Sequence, residues 1–400
     1  MGRPPSIPAE KKTRIVLSVI AGELTVAEAA RREKVREQSI GRRKADFLEA
    51  GKTALVAGRS GPTSREEQLE AEVADLTHAL GEAAVELPNP GATAGCGSVG
   101  AVRWVIVGAA GRVGRAMVAA LDGQPVRTWT RRDADLTARD RVLATLAAIR
   151  AESTDPIICV NAAAVADVDV AERDPRTATL VNAQAPGWLA EGLGEADLMV
   201  HLSTDYVFGG SGSGSGSGSS DGGGRATSPY DEEAPTVPLS VYGMTKRGGE
   251  SAVLAARPDS YVVRTSWVFD ADKPNYVTVF RDRLLAGGSV EALIDQVSRP
   301  TATPDLVSGL LALVGRRPDP GIYHCANRGQ ASRYDVARAI AADLGVDPAL
   351  VRGIRTAQAP SRPAARPAYS VLGLRRWCEA GLPEPRPWRD ALHDVLRAAA

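Results

Sequence analysis

Short apolar runs alternate with longer amphipathic stretches over most of this chain, and the alternation begins at Val102. Arg103-Trp104-Val105-Ile106-Val107 is a nearly unbroken apolar run of strand length. Residues 126–130, residues 156–160 and Leu198-Met199-Val200-His201-Leu202 repeat the pattern. Runs of this length, bounded by turn residues, suit strands buried on both faces. Residues 112–121, between the first two runs, have helical character. Strand, helix and strand in succession predict βαβ units and an α/β doubly wound, mostly parallel sheet.

Residues 1–88 follow a different period and read as all-helical. Helices are expected over residues 9–20, 25–33 and 36–50, the spacing of a helix-turn-helix with Arg42, Arg43 and Lys44 on the third, the recognition helix. Leu69, Val73, Leu76, Leu80, Ala83 and Leu87 then mark a heptad seam, under three heptads long. Residues 89–101 are rich in Gly, Pro and small side chains, as a linker should be. Residues 1–50 hold eleven Lys/Arg against seven Asp/Glu, and residues 51–90 hold three against seven. A basic head and an acidic zipper fit a DNA-binding dimer; a helical hairpin packed on itself fits equally. Gly2-Arg3-Pro4-Pro5 and Glu28-Ala29-Ala30-Arg31-Arg32 resemble the leader of insertion-sequence transposases. No carboxylate-rich nuclease domain follows, so that resemblance implies a fused remnant and no transposase chemistry. A second low-complexity stretch, residues 209–224, is almost pure Gly/Ser and reads as a surface insertion or a lid.

Composition narrows the classes. Four hundred residues allow two or three domains, and a hydrophobic share of 44% supports a sizeable core. A formal net charge of zero gives no global pull toward nucleic acid or an anionic membrane. The four cysteines lack metal-ligand spacing, and Cys159 and Cys325 lie in apolar runs, which favours buried thiols and a reducing, cytoplasmic setting. No metal site is expected. No apolar run approaches the roughly 20 residues that span a bilayer, and the first residues lack the apolar segment of a signal peptide.

The chemistry sits at three places. Gly108-Ala109-Ala110-Gly111-Arg112-Val113-Gly114 follows the first strand and opens a helix. Glycines there permit a tight turn and close approach of a pyrophosphate to the helix N-terminus, a Rossmann dinucleotide site. After the next strand, Arg131 and Arg132 stand where an acidic residue would bind the ribose of NAD. Guanidinium groups match a 2′-phosphate, so NADPH is favoured, with NADH as the alternative. Asp135 and Leu136 could flank the adenine, and Asn161, Ala162 and Ala163 would let the nicotinamide ribose lie close to the sheet edge.

Ser203-Thr204-Asp205 ends the strand that begins at Leu198, and ligands in open α/β sheets bind beyond such ends. His201, before it, reads as an ordinary strand histidine. Tyr242 and Lys246 are four apart and share a helix face. A neighbouring ammonium favours the phenolate and makes the phenol a better acid. Tyr242 would donate a proton to a carbonyl oxygen, Thr204 would donate a hydrogen bond to it, and Lys246 would tune the phenol and hold ribose hydroxyls. Y-x-x-x-K alone is a common surface pattern; the joint order of glycine turn, hydroxyl, Tyr and Lys is what points to hydride transfer.

Further motifs carry a resemblance. They are Asn161-Ala162-Ala163-Ala164 with Val168-Asp169-x-Ala171-Glu172, Ser203-Thr204-Asp205-Tyr206-Val207-Phe208 and Ser240-Val241-Tyr242-Gly243-x-Thr245-Lys246-x-x-Gly249-Glu250. Arg264-Thr265-Ser266-Trp267-Val268-Phe269, Asp295-Gln296, Pro300-Thr301 and Gly321-Ile322-Tyr323-His324 complete the set. With these, residues 102–396 resemble the extended short-chain reductases, specifically the dTDP-4-dehydrorhamnose reductase family. The resemblance implies reduction of the C4 ketone of a dTDP-linked 6-deoxyhexose by NAD(P)H, with Thr204, Tyr242 and Lys246 as catalytic residues. It implies that Trp267 lines the sugar pocket and that Val168 and Asp169 lie near the substrate. It also implies a smaller C-terminal domain, mostly after residue 273, that closes over the substrate, and it leaves a homodimer open. Ala166, Arg299, Tyr369 and the long Gly/Ser stretch depart from the family pattern in substrate-facing regions. A 4-ketoreductase of another deoxysugar pathway and a non-catalytic dinucleotide-binding homologue are the competing expectations.

Overall fold

The computed structural model describes residues 102–210 and 228–398, together with the single position Arg31. The helix-turn-helix, zipper and linker expectations for residues 1–101, and most of the Gly/Ser stretch, lie outside the described residues. All described residues but Arg31 belong to one compact unit, Gly97–Ala400.

Twelve strands are described: β1 (Arg103–Val107), β2 (Val126–Trp129), β3 (Ile157–Asn161), β4 (Leu198–Thr204), β5 (Tyr261–Thr265), β6 (Val268–Phe269), β7 (Val290–Leu293), β8 (Val297–Ser298), β9 (Thr301–Ala302), β10 (Gly321–His324), β11 (Ala331–Ser332) and β12 (Val351–Ile354). Six form the main sheet in the order β10-β5-β4-β3-β1-β2, and every pairing in it is parallel. The chain runs outward from β1 to β2 and then returns to β3 on the other side of β1. That reversal opens a crevice between the ends of β1 and β3, the place where such sheets bind ligands. Register sets the depth of each strand end: Val107 pairs with Asn161, Asn161 with His201, and Thr204 with Thr265.

The helices are α1 (Arg112–Ala120), α2 (Arg139–Ala151), α3 (Val168–Arg173), α4 (Pro175–Ala178), α5 (Ala185–Glu191), α6 (Val241–Ala256), α7 (Tyr276–Leu285), α8 (Thr303–Arg316), α9 (Arg333–Asp343), α10 (Arg375–Glu379) and α11 (Trp388–Ala398). Alternation along β1 explains the layers. Trp104 and Ile106 face a core built with Met117 of α1, Leu306 and Leu310 of α8, and Trp377 of α10. Val105 and Val107 face the opposite core, with Val142 and Leu146 of α2, Leu189 of α5 and Val253 of α6. Each fully buried aliphatic side chain in these layers contributes about 1.5–3 kcal/mol relative to exposure. A further core gathers Val277 and Leu284 of α7, Val336 and Ile340 of α9, Leu392 of α11, and β7 with β12.

The sequence-predicted first strand and the start of α1 fall where expected. The second strand ends one residue early, at Trp129, because Asp133 folds back and accepts hydrogen bonds from the Thr130 N–H and hydroxyl at 2.6 and 2.8 Å. Cys159 and Cys325 are free and buried, with thiols pushed up to about 12 by burial.

Candidate active site

The turn from β1 to α1 is shaped for a close visitor. Gly108 has φ of 83°, a left-handed conformation that disfavours any side chain, and a Cβ there would meet Ala163 N at 2.6 Å. A Cβ on Gly114 would meet the Gly108 carbonyl oxygen at 2.3 Å. The helix that follows has no side-chain cap and no acidic residue in its first turn. Its leading N–H groups and positive dipole end therefore face the crevice unopposed, which suits a pyrophosphate. Ala162 and Ala163, half-buried at the exit of β3, are the wall against which the turn packs.

Arg112, expected at the dinucleotide, spends its guanidinium differently. It pairs with Asp270 at 2.5 Å and donates to the carbonyls of Lys273 and Pro274. Lys273 returns the tie, donating from Nζ to Ala110 O at 2.6 Å. Two side chains thus strap the glycine turn to the segment before α7. Val113 packs into the core beside α8. At the tip of β2, Arg131 and Arg132 are exposed. Asp133, next along the chain, is bound by Thr130 and held below the usual carboxylate range by those hydrogen bonds. Asp135 is bound by the Thr137 N–H and hydroxyl, and Leu136 packs against the sheet.

The chemical groups lie at the ends of β4 and the start of α6. Ser240 caps that helix by accepting from Gly243 N at 3.2 Å, and Glu172 accepts from Val241 N at 3.0 Å. The cap fixes Tyr242 in the first turn, with its ring edge-on to Tyr206 at 5.9 Å. The Thr204 hydroxyl faces the Tyr242 phenol and favours its ionised form, but burial outweighs this and pushes the phenol above its ordinary range.

Lys246 departs from expectation. Its Nζ does not act on the phenol; it donates to Leu202 O at 2.6 Å and lies 3.4 Å from His201 Nε2. Burial pulls its amine down to about 8, against the opposing pull of Glu250. The expected acidification of Tyr242 by Lys246 is therefore absent here, because the amine is turned toward strand β4.

A buried polar frame surrounds these groups. The Glu250 carboxylate takes a bidentate pair from Arg264 at 2.8 and 2.8 Å and the Ser203 hydroxyl at 2.6 Å. All three are almost fully buried, and Arg264 lies over the Phe208 ring at 5.2 Å. Asp205, also buried, accepts from Thr204 at 3.1 Å, from Ser298 at 2.8 Å and from Ser370 at 2.5 Å. Burial raises its carboxyl to about 6. Sequence reasoning placed Asp205, Glu250 and Arg264 inside motifs without giving them roles. Their signal was a charged residue amid otherwise apolar, strand-like or helical spacing.

Trp267, after β5, is half-buried with φ of 46°, a strained value for a bulky residue. Its carbonyl accepts from the Tyr276 hydroxyl at 3.1 Å. Arg333 stacks over both rings, 3.6 Å from the Trp267 centroid and 3.8 Å from that of Tyr276. The Nη1 of Arg333 is buried with no hydrogen-bond partner, and Asp205 and Tyr206 lie within its field. Arg333 was missed by sequence reasoning; nothing local distinguishes it from other arginines opening a helix.

Asp169 sits close by, but Arg366 holds both its oxygens at 2.9 and 2.7 Å and pulls its carboxyl down to about 2. Half-buried Val168 begins α3 beside it. Asp169 thus ties α3 to the late segment around Arg366. Arg299 likewise donates to the Leu372 and Gly329 carbonyls. Among the described residues, no group of three His, Cys, Asp or Glu could hold a metal ion, and no helix is long and apolar enough to cross a membrane.

This geometry has close counterparts. Residues 102–400 match the model of the RmlD substrate binding domain. The chain belongs to that family. A dTDP-4-dehydrorhamnose reductase of Mycolicibacterium smegmatis is 42% identical over 303 residues, covering 74% of this chain and 86% of the relative. A Streptomyces antibioticus protein named "Probable dTDP-4,6-dihydroxy-2-methyloxan-3-one 4-ketoreductase" is 43% identical over 300 residues, 74% of this chain and 95% of its own. Among solved structures, a Bacillus anthracis dTDP-4-dehydrorhamnose reductase in complex with NADP superposes with a TM-score of 0.65 at 25% identity, over 74% of this chain and 99% of its own. The RmlD-family match starts where the alternating strand pattern starts, at Val102.

Proposed function

We propose that this protein reduces the C4 ketone of a dTDP-linked 4-keto-6-deoxyhexose with NADPH, the reaction for which its dTDP-4-dehydrorhamnose reductase relatives are named. The observation that carries the reading is the Thr204 hydroxyl facing the Tyr242 phenol at the end of β4, beside the crevice opened by the strand reversal. The glycine turn, the uncapped start of α1 and exposed Arg131 and Arg132 would hold the dinucleotide, and the Bacillus anthracis relative's NADP complex supports that choice. NADPH bound there supplies the hydride. Tyr242 keeps its proton to high pH, so it stands ready as the acid that protonates the reduced oxygen. Thr204 orients that oxygen by hydrogen bonding. Trp267 offers an aromatic face, and Arg333 offers an Nη1 donor with no hydrogen-bond partner, to a sugar linked to a diphosphate.

Purified protein given NADPH and a panel of dTDP-linked keto sugars should consume NADPH with the 4-keto-6-deoxy members alone. NADPH binding without oxidation of any sugar would overturn the catalytic reading and favour a non-catalytic dinucleotide-binding role. A second reading, a 4-ketoreductase of another deoxysugar pathway, is favoured by the equal likeness to the Streptomyces antibioticus relative. Turnover ranked across the panel, with product stereochemistry by NMR, separates the two. The free buried thiols fit a cytoplasmic setting.

A further inference from the structure

Lysine is scarce in this chain. Seven of the 48 basic residues are lysine, and Lys246 and Lys273 are the two within residues 102–400. An arginine stays charged under all conditions, whereas a lysine amine can give up its proton when buried. What surrounds the Lys246 amine therefore decides how it works.

The neighbours specify a direction for each hydrogen. The Ala163 N–H donates to Asn161 Oδ1 at 3.1 Å, which fixes the amide's orientation. Asn161 Nδ2 is then a donor, and it lies 3.2 Å from His201 Nδ1. That ring nitrogen must accept. His201 is fully buried, and burial, then the charge of Lys246, keeps its pKa well below the ordinary histidine value. A neutral imidazole that accepts at Nδ1 carries its proton at Nε2. The Nε2–H therefore points across 3.4 Å to Lys246 Nζ. Two donors face each other if the amine is charged. If the amine is neutral, its lone pair completes the chain while an N–H still serves Leu202 O.

We propose that His201 is a positioning residue that governs the charge of Lys246: locked by Asn161, its ring presents an N–H that favours the neutral amine. This rests on the reductase reading only for its significance, since Lys246 is there the residue that meets the dinucleotide. The other ionisable groups facing the amine are few. Glu250, one turn along α6, favours the charged form, but Ser203 of β4 and Arg264 of β5 already engage its oxygens. Tyr242, one turn the other way, is held neutral. His201 of β4 is the group whose hydrogen direction opposes the ammonium.

The test uses the full chain, without dinucleotide or sugar. Lysine labelled with carbon-13 at Cε gives few NMR signals, and Lys246 is the one missing from Lys246→Arg. Its titration midpoint in the native protein should lie near 8. His201→Phe removes the N–H and should raise the midpoint by about one pH unit or more. His201→Gln, whose amide N–H can occupy the Nε2 place, should keep it low. Asn161→Ala leaves the ring but frees its tautomer, and should raise the midpoint as well; it also serves if His201→Phe does not fold. An unchanged midpoint in both His201→Phe and Asn161→Ala overturns the proposal, as does an equal rise in His201→Phe and His201→Gln. Failure of every keto sugar in the turnover panel, with the midpoints moving as stated, would instead sink the reductase reading and leave the role of His201 standing.

Discussion

The glycine turn after β1 and the polar frame around Tyr242 solve the same task, holding a reactive geometry, by opposite means. The turn is built from missing atoms. Gly108 and Gly114 admit a close approach because they lack Cβ, and the requirement is written in seven consecutive residues. The frame is built from added atoms. Glu250, Arg264, Ser203 with Asp205, Ser298 and Ser370 come from five places along the chain and are satisfied largely by one another. Backbone sterics can be local; satisfying a buried charge cannot.

That contrast can be broken from either side. The largest effect should come from Tyr242→Phe, which removes the proton donor and lowers kcat by roughly 10²–10⁴-fold, while NADPH affinity, measured by fluorescence, stays near that of the native protein. Equal losses in both would show that the two regions are not separable. Glu250→Gln comes next. It leaves Arg264 buried without its charge partner, and breaking such a pair costs about 3–5 kcal/mol of stability, read by denaturant unfolding. Gly114→Val should do the reverse of Tyr242→Phe. Its side chain meets the Gly108 carbonyl, so NADPH affinity should fall by about 100-fold, near 3 kcal/mol, with Thr204 and Tyr242 left in place.

How much of this was legible follows from the same contrast. The apolar runs of β1 and β4, the glycine turn and the order of Thr204, Tyr242 and Lys246 could be read directly, because each is set by neighbours within one element. The posture of Lys246 could not. It depends on Asn161 on a strand forty residues before His201, and on a register pairing that places those two side by side. Arg333 was invisible for the same reason: its aromatic partners Trp267 and Tyr276 lie far upstream in sequence. Asp169, expected near the substrate, was found tied to Arg366, a partner 197 residues away.

Two smaller effects sharpen the picture. Arg131→Ala combined with Arg132→Ala should cut the preference for NADPH over NADH by about tenfold, worth near 1.4 kcal/mol, as measured by the ratio of kcat/KM. An unchanged ratio would place the 2′-phosphate elsewhere. The smallest effect is a pH signature. Asp169 is held down to about 2, so the stability it adds is complete above its unfolded value of 3.8 and is lost as pH falls toward 2. Asp205 is raised to about 6, so its ionisation weakens the fold as pH climbs from 3.8 to 6. Asp169→Asn should flatten the first window and Asp205→Asn the second, in unfolding measured across pH. A response of the same sign from both would contradict the opposed environments of these two carboxylates.

The serine clasp on Asp205 also has a consequence for biogenesis. Ser370 emerges from the ribosome long after Thr204 and Tyr242 have been synthesised, and Arg366 only slightly before it. A nascent chain can assemble its parallel sheet early, yet the tip of β4 gains its last anchor only when the tail arrives. Premature termination near residue 360 would remove Arg366 and Ser370 together with Trp377 of the sheet core, so both halves of the job wait for the tail to be translated.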